Sequence, residues 1–166
     1  MMPAVRYEVS DHVAEITLDS PPVNALSVAM IDEILVALRR AGADDEVRAV
    51  IIASALPRRF CAGLDLSVLM GESGLAMHKF LEKLYIEMAD VQYNLGKPSI
   101  AAINGAARAG GMTLSIQSNV IVAGESASFG YPEIDVGLIP AIHFIHLPRI
   151  IGRHRAFEIL FSGRAF

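Results

Sequence analysis

Residues 99–115 read SIAAINGAARAGGMTLS. A short apolar run, Ser99–Ile103, enters a glycine-rich turn and leaves it as a second apolar stretch from Gly111. That is the pattern of a buried strand feeding a helix through a tight turn. The organisation of the chain turns on whether this unit recurs. It does so loosely: an apolar strand ending in a small-residue loop appears at 48–65 and again at 120–130. Stacked strand–turn–helix units produce such a recurrence.

Working outward, residues 5–9 and 13–18 alternate apolar and polar side chains and predict paired strands around a turn at Asp11 and His12. SPPVNALS (20–27) breaks that alternation. Val28, Ile31, Ile34, Leu35 and Leu38 then fall at helical spacing over 28–40, with Ser27 as N-cap. Residues 48–54 read as a buried strand and FCAGLD (60–65) as a loop. Met77, Phe80, Leu81, Leu84, Met88 and Val91 mark one long amphipathic helix that ends near Gly96 and Pro98. After the 99–115 unit, helical over 111–117, residues 120–122 read as a third buried strand. A Pro-bounded loop follows, then helices from about 141 and from Arg153 to Leu160. Strands alternating with helices predict an α/β fold with a mainly parallel sheet.

The bulk properties bound the function. A chain of 166 residues suggests one domain, spanning 1–166, with a substantial core. It is 53% hydrophobic with a mean hydropathy of +0.44, so part of its surface is expected to face a partner or a missing segment. A net charge of −4 without a basic stripe argues against nucleic acid. The single cysteine, Cys61, excludes an internal disulfide framework and points to the reducing cytoplasm. The N-terminus lacks the pattern of a signal peptide. Residues 137–151, broken by Pro140, His143, His146, Pro148 and Arg149, do not read as a membrane span.

Ligands of parallel sheets sit at the carboxyl ends of strands. Two glycine-containing loops lie there, FCAGLD and NGAARAGG (104–111), and the second opens a helix whose first N–H groups are unpaired. Cradling a phosphate, holding an oxyanion and close backbone packing all suit such a turn. The spacing Gly105 to Gly110 matches a P-loop, but Gly111 and Met112 stand where Lys and Ser/Thr are required. One N–H from each loop would clamp a carbonyl oxygen that gains charge during reaction. Simple strand–helix packing remains the alternative.

FCAGLD, KPSIAAINGAARAGGMTLS (97–115) and ASFGYPEIDVGLIP (127–140), in that order and spacing, resemble the enoyl-CoA hydratase/isomerase (crotonase) superfamily. The resemblance runs from about Val5 to the end. It implies a spiral of stacked ββα units, of which the C-terminal helical part would be missing here. It implies acyl-CoA substrates, with coenzyme A as part of the substrate and no separate cofactor, and a homotrimer or dimer of trimers. The oxyanion donors carried over are the N–H groups of Leu64 and Gly110. Ala62, Leu64, Asp65 and Leu66 become candidate coenzyme A contacts, mainly through backbone, joined by Ala25 and Leu26. Arg58 and Arg59 are either contacts for the coenzyme A phosphates or solvated surface charges.

Hydratases of this family use two glutamates. The second is Glu133, in FGYPE; the position of the first holds Thr113, which cannot exchange a proton near neutral pH. One carboxylate in an apolar pocket suits double-bond isomerisation, so the resemblance implies an isomerase in which Glu133 shuttles the proton. Thr113 and Tyr131 are expected to line the substrate site. The rivals are a hydratase, decarboxylase or thioester hydrolase using Tyr131, His143 or His146, and a non-catalytic CoA-binding subunit. Ala109 replaces the first glycine of the family's GGG, and AIHFIH (141–146) replaces a small, Gly-rich segment. His143 and His146 lack a third ligand in sequence, so no metal is expected. Cys61 is expected to be a buried thiol.

Overall fold

The computed structural model of the chain describes residues 3–69, 73–140 and 142–166. A hairpin of β1 (Val5–Ser10) and β2 (Val13–Leu18) opens the chain. Asp11 and His12 both adopt positive φ, 49° and 64°, the backbone a two-residue hairpin loop requires. β3 (Ala25–Leu26) follows, then α1 (Val28–Ala43), whose first turn is capped by Ser27 Oγ accepting from the Met30 N–H at 3.2 Å. Ile31, Ile34, Leu35 and Leu38 form its buried stripe, as their spacing predicts, joined by Met30, whereas Val28 at the first position of the helix is exposed.

Then come β4 (Ala49–Ser54), β5 (Arg58–Cys61) and β6 (Gly63–Leu64). The next helical segment is α2 (Gly74–Glu82), a π turn over Lys83–Glu87, and α3 (Met88–Tyr93). β7 (Ser99–Ile103), β8 (Gly105–Arg108) and α4 (Gly110–Gln117) form the unit quoted at the outset. β9 (Val120–Ala123), β10 (Ser128–Gly130), a 3₁₀ turn over Pro132–Val136, α5 (His143–Ile151) and α6 (Arg153–Ser162) complete it. The expected helix start at 141 lies outside the described residues.

One five-stranded sheet runs β1-β2-β4-β7-β9, parallel except for the opening hairpin. A second sheet, β10-β8-β5, is wholly parallel. β3 and β6 make a two-stranded ladder with Ala25 opposite Gly63 and Leu26 opposite Leu64. Successive units therefore place a longer strand in the first sheet, a short strand beside it and then a helix, which is the stacked ββα spiral the resemblance implied. Ile16, Leu18, Ile34, Ile52, Phe60 and Leu84 sit at the centre of one contiguous core.

Three expectations change. FCAGLD and NGAARAGG are not simple loops: β5, β6 and β8 run through them. These strands are only 4, 2 and 4 residues long, too short for an alternating pattern to show. Second, the long amphipathic helix is interrupted by the π turn. Third, β9 is not buried. Val120, Ile121 and Val122 are 50, 42 and 57% exposed, because β9 is the last strand of its sheet and no described element covers it.

Candidate active site

Two loops are stitched together by close backbone approach. A Cβ on Gly63 would lie 2.6 Å from the Ala109 Cβ and 3.0 Å from the Gly110 N. A Cβ on Gly110 would lie 2.8 Å from a Leu26 methyl, and one on Gly111 only 2.4 Å from the Cys61 carbonyl oxygen. Glycine is therefore required on both sides of the junction between β6 and α4. Asn24 anchors the same region from below. Fully buried at φ 52°, it donates through Nδ2 to the Phe60 carbonyl and to Ser54 Oγ, both at 2.8 Å, and accepts from the Ser20 N–H at 2.7 Å. The Cys61 thiol donates to the Asn24 carbonyl at 3.1 Å. Burial pushes that thiol up to about 12, so it is an inert, packed group as expected.

The two candidate N–H donors, on Leu64 and Gly110, lie at this junction. The Asp65 N–H donates to the Leu26 carbonyl at 3.1 Å, toward β3. Alternation along an extended strand turns the neighbouring Leu64 N–H to the opposite edge of β6. Gly110 opens α4, where helix N–H groups have no intrahelical acceptor. The preceding Ala109 sits at φ 49°, ψ −115°, a strained backbone for a residue with a Cβ. It is held by its N–H to the Gly130 carbonyl, while its own carbonyl accepts from Met112 and Thr113.

Leu64, Ala109 and Gly110 line a cavity of about 470 Å³. Its apolar wall includes Leu66, Met77, Leu81, Leu138 and Ile139, with Ala62 at the β5–β6 junction. Its polar side chains are Tyr85, Glu133 and Asp135. Glu133 stands in the first turn of the 3₁₀ segment behind Pro132. Its Oε2 is buried and has no hydrogen-bond partner among the described residues, and burial raises its carboxyl above the ordinary range. Asp135 is exposed, with its carboxylate against Gly163.

Ala62, Leu64, Leu66, Gly110 and Glu133 thus line one cavity. Ala25, Asp65, Thr113 and Tyr131 are not part of it. Ala25 is held in the β3–β6 ladder. The Asp65 carboxylate accepts from the Ser67 N–H at 3.0 Å and its hydroxyl at 2.6 Å, capping the next turn. Thr113 and Tyr131 are fully buried behind the wall, both bonded to His143. Thr113 Oγ1 lies 3.0 Å from His143 Nε2, and the Tyr131 hydroxyl 3.1 Å from Nδ1. Burial, and secondarily His146, hold this imidazole down at about 3, so it stays neutral. Burial, then Glu133 and Tyr85, push the Tyr131 phenol upward. His146 turns away to the Tyr93 hydroxyl at 3.1 Å. Arg58 and Arg59 are exposed on β5, in no ion pair among the described residues.

Tyr85 was not among the expected site residues. On the helix it follows Met77 and Leu81 at intervals of four, a stripe beside the core-facing Phe80, Leu84 and Met88. The only sequence signal was an aromatic residue next to the apolar stripe. Among the described residues no helix is long and apolar enough to cross a membrane.

A sequence profile of the family described as Enoyl-CoA hydratase/isomerase matches residues 8–166. A Bacillus subtilis (strain 168) protein described as "Probable enoyl-CoA hydratase" is 34% identical over 163 residues, covering 98% of this chain and 63% of that protein. A Rhodobacter capsulatus protein of the same description is 39% identical over 154 residues, covering 92% and 58%. The chain thus spans less than two thirds of the length of these relatives. A crystal structure of enoyl-CoA hydratase from Bacillus anthracis superposes with a TM-score of 0.92 at 32% identity, covering 98% of this chain and 64% of that one. Fold, loop pair and likeness converge: the chain belongs to the enoyl-CoA hydratase/isomerase family.

Proposed function

We propose that this chain transforms acyl-CoA thioesters, moving a double bond with one carboxylate. The observation that carries the reading is Glu133: a desolvated carboxylate, its Oε2 without a hydrogen-bond partner among the described residues, in an apolar cavity that Leu64 and Gly110 also line. On a 3-enoyl thioester, the Glu133 carboxylate takes a proton from C2. The C2–H electron pair moves through C1 onto the thioester oxygen, where the two N–H groups hold the charge. The enolate then collapses, the double bond forms between C2 and C3, and Glu133 returns the proton to C4. A carboxyl raised by burial suits both halves of that exchange. The scheme needs no cofactor beyond the coenzyme A of the substrate. Assembly as a homotrimer or dimer of trimers and a place in the cytoplasm belong to the same proposal. The exposed apolar side chains support the first and the lone buried thiol the second.

A second reading, hydration of a 2-enoyl thioester, is favoured by the relatives, which are described as hydratases. Turnover of a 3-enoyl-CoA, followed by the absorbance of the conjugated product, tests the first reading. Glu133→Gln is expected to lower kcat by about 10²–10⁴-fold, the range for a general base. Turnover unchanged by Glu133→Gln would remove Glu133 from the mechanism.

A further inference from the structure

The cavity holds a second group able to work beside Glu133, and it is not the residue at position 113. Thr113 stands where a second carboxylate would be expected, but it is fully buried and committed to His143. Asp135 is exposed and faces Gly163. Among the described residues, that leaves Tyr85 as the polar side chain that shares the apolar cavity with Glu133. The fold places it there by a local device. The Met88 N–H donates to the Lys83 carbonyl, five residues back, and widens the helix by one residue over Lys83–Glu87. Such π turns are often found at functional sites. Here the turn lets Leu84 and Met88 remain in the core while Tyr85 continues the cavity stripe of Met77 and Leu81.

We infer that Tyr85 positions a water molecule against Glu133, so that the cavity adds water to a 2-enoyl thioester without a second carboxylate. The inference rests on the acyl-CoA reading of the cavity. The Tyr85 O–H donates to the water oxygen, and the water donates to Glu133 Oε2, which has no partner among the described residues. In the step itself the water O–H bond breaks and its proton passes to the Glu133 carboxylate. A C–O bond forms at C3, and the C2=C3 pair moves through C1 onto the thioester oxygen. As the enolate collapses, Glu133 gives the same proton to C2. Tyr85 keeps its own proton throughout. Burial and the neighbouring Glu133 push its phenol up to about 12, which keeps it a donor at neutral pH.

The test compares two reactions of the same chain. Isomerisation of a 3-enoyl-CoA consumes no water; hydration of a 2-enoyl-CoA does. Tyr85→Phe removes one oxygen from a cavity wall and is checked for folding by its thermal melt. It is expected to lower the ratio of hydration to isomerisation rates by at least about tenfold, chiefly through the kcat of hydration, as for loss of one hydrogen bond to a reacting group. Tyr85→Gln, which keeps a donor, is expected to recover part of that ratio. An equal fall in both reactions, or an unchanged ratio, overturns the assignment. A parent chain that isomerises but adds no water overturns it too, and leaves the Glu133 proton shuttle standing. A parent chain that turns over neither substrate overturns the functional reading itself.

Discussion

Glu133 shows how one side chain can oppose the fold that carries it. The cavity shifts it toward its neutral form, since burial raises the carboxyl above 4.5 and Oε2 has no partner among the described residues. An acid whose folded-state value is raised binds more protons folded than unfolded. Its contribution to stability is therefore full below about 4.5 and is lost as pH rises through the folded value. Glu133→Gln removes that loss. Its melting temperature is expected to exceed that of the parent near about pH 8, with the difference shrinking toward about pH 4. Thermal melts across that range check it, and a variant less stable than the parent at the upper end would show that a partner holds the carboxylate. At this scale the sequence was legible where a residue's chemistry is set by its own loop. Glu133, Leu64 and Gly110 all reached the cavity from short motifs. Thr113 and Tyr131 did not, because their direction is decided by His143, 30 and 12 residues away. Nothing in their local pattern announces that buried chain of hydroxyl, imidazole and phenol.

Among the elements, the contact of α4 with the end of β5 sets where the Gly110 donor sits. Any Cβ at Gly111 would meet the Cys61 carbonyl at 2.4 Å and the Cys61 Cβ at 2.9 Å. Both obstacles are backbone or packed core, so the helix start must shift. Gly111→Ala is expected to destabilise by about 1–3 kcal/mol in urea unfolding, the range for overpacking. It is also expected to lower turnover by displacing the Gly110 N–H. Gly74→Ala, at the start of α2 with nothing within 4 Å of its added methyl, is the control and is expected to be neutral or slightly stabilising. Long elements were legible: the boundaries of β2 and β7 and the Ser27 cap follow from alternation, β-branching and cap chemistry. A one-residue widening at Lys83–Glu87 leaves the apolar spacing nearly helical, so periodicity passes over it. The Val-Ile-Val of β9 has the composition of a buried strand, and only its place at the end of the sheet exposes it.

Across the whole molecule, the three sheets converge on the two glycine loops, and most of the exposed apolar side chains outside the cavity lie on the outer elements. Val120, Ile121 and Val122 on β9, with Ile145, Ile150, Phe157 and Phe161 on α5 and α6, are all exposed. That distribution is what the high mean hydropathy anticipated, although composition alone could not say which elements would carry it. The centre of the molecule has a property of another kind. Cys61 is the chain's one cysteine, and it lies sealed between the Asn24 carbonyl and the Gly111 turn. An alkylating reagent can reach it only when β6 and α4 part. The rate at which iodoacetamide adds mass to the native chain therefore times the opening of the loop pair, against the full rate in denaturant. An acyl-CoA analogue seated across Leu64 and Gly110 is expected to slow that labelling in step with its occupancy, whereas labelling indifferent to the analogue would place the ligand elsewhere. The buried sulfur thus serves as a built-in clock for the opening of the loop pair.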